Sequence, residues 1–117
     1  MKETQKQKGH KMSIFIVRIE LFGKAEEDDY EKLHNKMQAK RFFRVVKGEK
    51  AWYHLPSATY DHAADSSASK VRDQVWAVAK SVWSDPGVLV TEANNMSWMG
   101  LPKATADEVK ELTAVPK

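Results

Sequence analysis

The residues that could do chemistry in this chain lie on two predicted strands. The first predicted strand carries Arg18 and Glu20, and the third carries Trp52 and His54. Each pair is two positions apart, so its members share one face of a sheet. If the two strands are adjacent, the set could bind a phosphate-bearing ligand or perform acid–base chemistry. An Arg–Glu cross-strand pair beside a half-exposed His and Trp would explain the same residues without any function.

A second candidate is a basic run interleaved with aromatic rings. The run consists of Lys36, Lys40, Arg41, Arg44, Lys47 and Lys50, with Phe42, Phe43, Trp52 and Tyr53 as the rings. Single-stranded nucleic acids are bound by cations that hold the backbone and rings that stack on bases. We therefore predict that Lys40, Arg41 and Arg44 hold phosphates, and that Trp52 or Tyr53 stacks a base. Alternatively, the lysines complete a helix end and the rings fill the core.

Other chemistries have no support in the residue pattern. The chain has no cysteine, its 4 histidines have no ligand-like spacing, and it contains no glycine-rich phosphate loop. The acidic run 26–29 is explained by the positive end of a helix dipole. We predict neither a metal site nor a cofactor.

Hydrophobic periodicity and breaker residues divide the chain into short elements. Strands are predicted at 13–22, 42–47, 51–55 and 88–92, helices from Asp28 or Asp29 to about 40 and at 68–83, and a polar loop at 56–67. Asn94 and Asn95 predict a tight turn into a short strand at 97–101. Thr105 and Glu108 have the spacing of a capping box, which favours a short helix.

The element order predicts an α+β fold, a ferredoxin-like β-α-β-β-α-β sandwich with an extra C-terminal β-hairpin strand. Right-handed crossovers would place both helices on one sheet face, over the alternate apolar residues of the first strand. Arg18 and Glu20 would then lie on the open face, beside Trp52 and His54. The hairpin 94–101 would extend the edge of the last strand, where it could pair with a second subunit.

Charge is distributed unevenly. Residues 1–12 hold four of the 19 Lys and Arg and one of the 16 Asp and Glu, so the formal charge of +3 belongs to them and the remainder is neutral. We predict a disordered basic leader at 1–12, one domain at 13–104 and a frayed tail at 105–117, with a short helix in the tail as one possibility. No stretch has signal-peptide or membrane-span character, which predicts a cytoplasmic protein that does not enter a membrane.

Trp76 and Trp83 lie seven residues apart on the second predicted helix and therefore share one side of it. They form either the rim of the core or a subunit contact, since tryptophan is enriched in interface cores.

From about Ile14 to Ala104, the chain resembles the small bacterial and phage proteins grouped with GhoS, the antitoxin of type V toxin–antitoxin systems. The resemblance rests on residues 15–21, 29–34, 43–46, 53–60, 89–92 and 98–101. It implies a ferredoxin-like fold, similar to small CRISPR-associated nucleases, and endoribonuclease activity on a toxin messenger. Those nucleases place an aspartate near the end of the first strand for metal-dependent cleavage. Only Glu20 could substitute for it in the Glu20–Gly23 segment of this chain.

Two functional hypotheses follow. The first is a GhoS-like RNA-binding protein, with sequence-selective endoribonuclease activity as one possibility. If it cleaves without metal, His54 would be the acid or base and Arg18 would stabilise the phosphorane. The second is a non-enzymatic, homodimeric protein-interaction module of phage or mobile-element origin, whose partner is a protein. A small-molecule sensor that uses the open sheet face is a third possibility.

Overall fold

The computed structural model describes residues 12–116, so the predicted leader lies outside the described residues except for Met12. The strands are β1 (Ser13–Leu21), β2 (Val45–Lys47), β3 (Trp52–His54), β4 (Thr59–Ala64), β5 (Pro86–Ala93) and β6 (Lys103–Ala104). The helices are α1 (Glu27–Ala39), α2 (Ala68–Val82) and α3 (Ala106–Thr113). The predicted mixture of helices and antiparallel strands is confirmed.

The first sheet has the order β4-β1-β5, with both pairings antiparallel. Its inner face carries the alternate apolar residues of β1 and packs against α1 and α2. The core there contains Phe15, Val17, Ile19, Leu21, Leu33, Met37, Phe42, Tyr60, Val71, Val75, Val78 and Ala79. The helix side of β1 is therefore as predicted, and Arg18 and Glu20 are exposed on the outer face.

The second sheet has the order β2-β3-β6 and is also antiparallel. Helix α3 packs against β2 and begins with the predicted capping box, in which Thr105 and Glu108 each accept a backbone N–H from the other. The side chain of Gln38 donates to the carbonyl oxygens of Glu111 and Ala114, and so ties the end of α3 to α1.

Two predicted elements are wrong. Residues 59–64 form β4 rather than part of a polar loop, and Tyr60 within it is fully buried. The polar residues of β4 do not predict a strand, but pairing with β1 stabilises one, because strand propensity depends on context. Residues 97–101 form no strand, since Gly100 has a φ of 80° and Pro102 follows. The chain instead reaches β6, which pairs with β3.

The predicted strand 42–47 is also divided. Its second half becomes β2 in the second sheet. Phe43, in the first half, forms one isolated bridge with Asp61 at the edge of β4 that faces away from β1. Within residues 12–116, no helix is long and apolar enough to cross a membrane.

Candidate nucleic-acid interface

The register of the second sheet places a cation, an indole and an imidazole on one face. Lys47 is directly opposite Trp52, and Val45 is directly opposite His54. Directly opposed residues and residues two apart share a face, so Lys47 and His54 are diagonal neighbours. Trp52 and His54 are half-buried and Lys47 is exposed. This face therefore offers a phosphate-binding cation beside a ring and a titratable group.

His54 is held from outside the sheet by α3. Its Nε2 lies 3.2 Å from Oε1 of Glu108, the capping residue of that helix. The backbone hydrogen bond from Thr105, and then the side-chain bond to His54, hold the pKa of Glu108 below its ordinary value. A carboxylate at Nε2 favours the tautomer with the proton on that nitrogen, which leaves Nδ1 as a proton acceptor. The pair has the arrangement of an oriented general base.

A groove of about 610 Å³ lies between the β2–β3 turn and residues 94–98, and it shares Lys47 with this face. Its lining includes Lys47, Asn94, Asn95 and Trp98. The Trp98 indole packs edge-on against the Tyr53 ring, with a centroid separation of 5.7 Å. Amides can hydrogen-bond to base edges and an indole can stack on a base, so the groove is suited to a nucleotide.

Sequence reasoning missed the groove residues. Asn94 and Asn95 were assigned to a hairpin turn, and Trp98 to an edge strand. An isolated tryptophan between two methionines, in the segment Met96–Met99, was the available signal, because tryptophan is enriched at binding surfaces.

The predicted phosphate-binding residues lie in different environments. Lys40 and Arg41 are exposed just after α1. Arg44 is half-buried, and its charge acts on His34 and Tyr60. Arg44 therefore belongs to a cluster between α1 and β4, whereas Lys40 and Arg41 remain available at the surface.

Arg18 does not join His54. It lies on β1, whose neighbours are β4 and β5, so the predicted adjacency of the first and third strands is wrong. The strand that we took for the partner of β1 belongs to the second sheet, and β4 occupies its place. Arg18 and Glu20 instead line a shallow hollow of about 250 Å³ with Phe22 and Leu89. In the described residues the Arg18 side chain forms neither a hydrogen bond nor an ion pair.

Between α1 and β4, the Nδ1 of His34 lies 2.6 Å from the Tyr60 hydroxyl. Burial, and then the charge of Arg44, lowers the pKa of His34 from 6.5 to about 4. Burial raises the pKa of Tyr60 above its ordinary value. Both groups are neutral at pH 7, so this cluster is a structural hydrogen bond rather than a charged site.

Residues 12–116 contain no group of three or more His, Asp or Glu side chains that could hold a metal ion. The chain matches no protein-family model, no curated protein and no solved structure.

Proposed function

We propose that the protein binds single-stranded RNA on the second sheet, and that it is an endoribonuclease antitoxin of the GhoS type. The observation that carries the proposal is the position of Lys47, which is the diagonal neighbour of the His54–Glu108 pair on one face of β2 and β3 and also lines the groove that contains Trp98. Lys47 supplies charge for a phosphate, Trp98 supplies a stacking surface, and the two asparagines supply base-edge contacts. Lys40 and Arg41 add exposed positive charge after α1.

Cleavage would use His54 as the base. Its Nδ1 accepts the proton of a ribose 2′-hydroxyl while that oxygen attacks the adjacent phosphorus. The bond from phosphorus to the 5′-oxygen then breaks, and the leaving oxygen takes a proton back from the imidazolium. The products are a 2′,3′-cyclic phosphate and a 5′-hydroxyl. Lys47, rather than Arg18, is the cation placed to stabilise the charged phosphorane, because it is the diagonal neighbour of His54.

The ferredoxin-like arrangement belongs to the same proposal. The Phe43–Asp61 bridge adds a remnant strand outside β4, which supports the order 43, β4, β1, β5 with α1 and α2 on one face. In this arrangement β2 and β3 form an inserted hairpin, which carries the RNA surface.

Binding is tested with the full chain and a fluorescent single-stranded RNA of mixed sequence, at several salt concentrations. Lys47→Ala should weaken binding several-fold and lower the salt dependence, and Trp98→Ala should weaken it about tenfold. Lys70→Ala, which removes an exposed lysine from α2, is the matched control. Equal affinity of the Lys47 and Lys70 variants would place RNA elsewhere, and no RNA binding by the full chain would exclude the function.

Cleavage is tested separately in EDTA. His54→Gln should abolish cleavage and retain binding, and Glu108→Gln should slow cleavage because Gln keeps the cap but not the charge on His54. Retained cleavage by the His54 variant would remove His54 from the mechanism.

The second candidate is a non-enzymatic protein-interaction module. It is favoured by the outer face of the first sheet, where Phe22 and Leu89 are 50% and 63% exposed beside the unpaired Arg18. Large apolar side chains beside an arginine are typical of protein interfaces. A chain that binds no RNA but captures a protein through these residues would support this candidate.

A further inference from the structure

We propose that two copies of the chain pair through β5, edge to edge and antiparallel about a two-fold axis. The result is one continuous sheet with the order β4-β1-β5-β5-β1-β4. This proposal depends on the free edge of the first sheet and is independent of RNA binding.

β5 is an edge strand whose outward backbone groups can be identified. The N–H of Phe22 donates to the carbonyl of Asp85, with an N···O distance of 3.0 Å, so these opposed residues form a hydrogen-bonded pair. In an antiparallel ladder such pairs alternate, and Gly87, Leu89 and Thr91 therefore bond to β1. The residues between them direct their N–H and C=O groups away from β1. They are Val88, Val90 and Glu92.

This edge lacks the usual protection. Over Pro86–Ala93 the strand has one charged residue, Glu92, and its one proline is at the start. Edge strands of monomers are commonly protected by lysines, internal prolines, bulges or a covering segment. Residues 94–101 were predicted to cover the edge as a hairpin, but Trp98 instead packs on Tyr53 in the second sheet. Within residues 12–116, no strand pairs with the outward hydrogen-bonding groups of β5.

A second copy is the occupant that the strand fits. With Leu89 opposite the partner's Leu89, the whole strand overlaps, and Val88 pairs with Val90 of the partner subunit. Glu92 then lies opposite the partner's Pro86, so the two equal charges are kept apart. The missing N–H of Pro86 falls at the end of the ladder, where one lost bond costs least. The central contact is a leucine pair on the outer face, where Leu89 is 63% exposed.

Helix α2 provides a second, independent contact. Val71 and Val75 face the core, while Gln74, Ala77 and Ser81 line the groove towards α1. At 100° per residue, Trp76 lies on the opposite side of the helix, away from α1 and over the free edge of β5. Trp76 is 45% exposed and lies near the middle of α2, as Leu89 lies near the middle of β5. Since α2 packs on β5, the pairing brings the α2 helices of the two copies to the same side of the joined sheet, with their Trp76 sides towards each other.

The pairing is tested by a single cysteine. The chain has no cysteine of its own, so Leu89→Cys creates one thiol per copy. Leu89 opposite its own copy is a non-hydrogen-bonded pair with Cα atoms roughly 4.5 Å apart, which a disulfide can span. Thr91→Cys is the matched control, on the same strand and face. Its thiols would be separated by about four residues along the strand, or ~13 Å, and should not join.

Under mild oxidation the Leu89→Cys chain should become mainly a disulfide-linked dimer, and the Thr91→Cys chain should stay unlinked. By sedimentation the native chain should have twice the chain mass of 13.3 kDa, and Leu89→Lys should be monomeric. Met99→Lys, at an apolar residue that is 95% exposed and lies outside β5, should remain dimeric. A monomeric native chain, equal cross-linking of the two cysteine variants, or a dimer that does not cross-link at position 89 would overturn the pairing.

Discussion

His34 and Tyr60 share one hydrogen bond, between Nδ1 and the phenolic oxygen, at 2.6 Å. The bond joins α1 to β4, the strand that sequence patterns did not reveal. Tyr60 is fully buried and its neighbour Tyr30 accepts the backbone N–H of Leu21, so two tyrosines fasten the first turns of α1 to the sheet. Neither hydroxyl is free to take part in catalysis.

Removing the Tyr60 hydroxyl should destabilise the fold. Tyr60→Phe leaves Nδ1 of the half-buried His34 without this partner, and we expect a loss of about 1–2 kcal/mol in the free energy of unfolding. Urea unfolding at pH 7 measures it. Tyr53→Phe is the control, because the Tyr53 hydroxyl forms no hydrogen bond in the described residues. Equal losses in the two variants would contradict a structural role for the bond.

His34 should make the protein less stable in mild acid. Its pKa is about 4 in the fold and 6.5 in the unfolded chain, so the unfolded state binds more protons between these values. The free energy of unfolding should therefore fall as the pH drops from about 6.5 to 4. His34→Gln should flatten that part of the curve, and NMR should show a neutral imidazole at pH 5.5. A slope unchanged by the substitution would exclude His34 as its source.

Asp61 should make the protein less stable as the pH rises, which is the opposite of the effect of His34. Burial raises its pKa from 3.8 to about 7, so the folded state binds more protons between these values and stability is lost as the pH rises through them. Asp61 lies between Ile16 of β1 and Phe43, both of which are half-buried, so its carboxyl is partly removed from water. Asp61→Asn should therefore be more stable relative to the native chain at pH 8 than at pH 4, in urea unfolding. A difference in stability between the Asn variant and the native chain that stays the same from pH 4 to pH 8 would exclude Asp61 as the source of the change.

Local sequence patterns predicted the helices and strands in which apolar residues recur at one regular spacing. β1, α1 and α2 each place apolar residues at regular spacing, and their bounds differ from the prediction by a residue or two. β4 was missed because Asp61, His62 and two alanines dilute the strand signal of Thr59 and Tyr60. Its stability comes from pairing with β1, which is a non-local property.

The candidate site depended even more on non-local contacts. His54 was identified as chemically capable from its type and strand position, but its partner Glu108 was recognised only as a helix cap. Trp98 was placed in the wrong element, and Arg18 was placed beside the wrong strand. Which side chains are neighbours depends on which strands pair and in which register. A wrong pairing gives every side chain of the strand the wrong neighbours, and a shift of one residue moves it to the other face.

The backbone at the end of α1 is strained at Arg41, and a glycine there should relieve the strain. The N–H of Phe42 donates to the carbonyl of Met37, and that of Arg41 to Gln38, which is a Schellman ending with Arg41 at the left-handed position, φ 68°. Glycine usually occupies this position, because a Cβ there costs about 1 kcal/mol. Arg41→Gly should raise the free energy of unfolding by about 0.5–1 kcal/mol and weaken RNA binding. Arg41→Ala keeps the Cβ and should weaken RNA binding without the gain in stability; a similar gain with alanine would contradict the backbone explanation.

Gly48 is required by close packing rather than by backbone conformation. A Cβ at this position would lie 3.0 Å from the Tyr53 ring, 3.2 Å from the Trp98 indole and 3.3 Å from the carbonyl oxygen of Ala51. The two rings hold each other in place, so the turn must shift, and we expect Gly48→Ala to cost about 1–3 kcal/mol. The substitution should also move Trp98 and change its fluorescence.

Gly23→Ala is the comparison, since a Cβ there meets nothing within 4 Å and the cost comes from its φ of 97° alone. It should lower stability and leave both the Trp98 environment and RNA affinity unchanged. If Gly48→Ala displaced Trp98 and left RNA affinity unchanged, the groove between the β2–β3 turn and residues 94–98 would not be the nucleotide site.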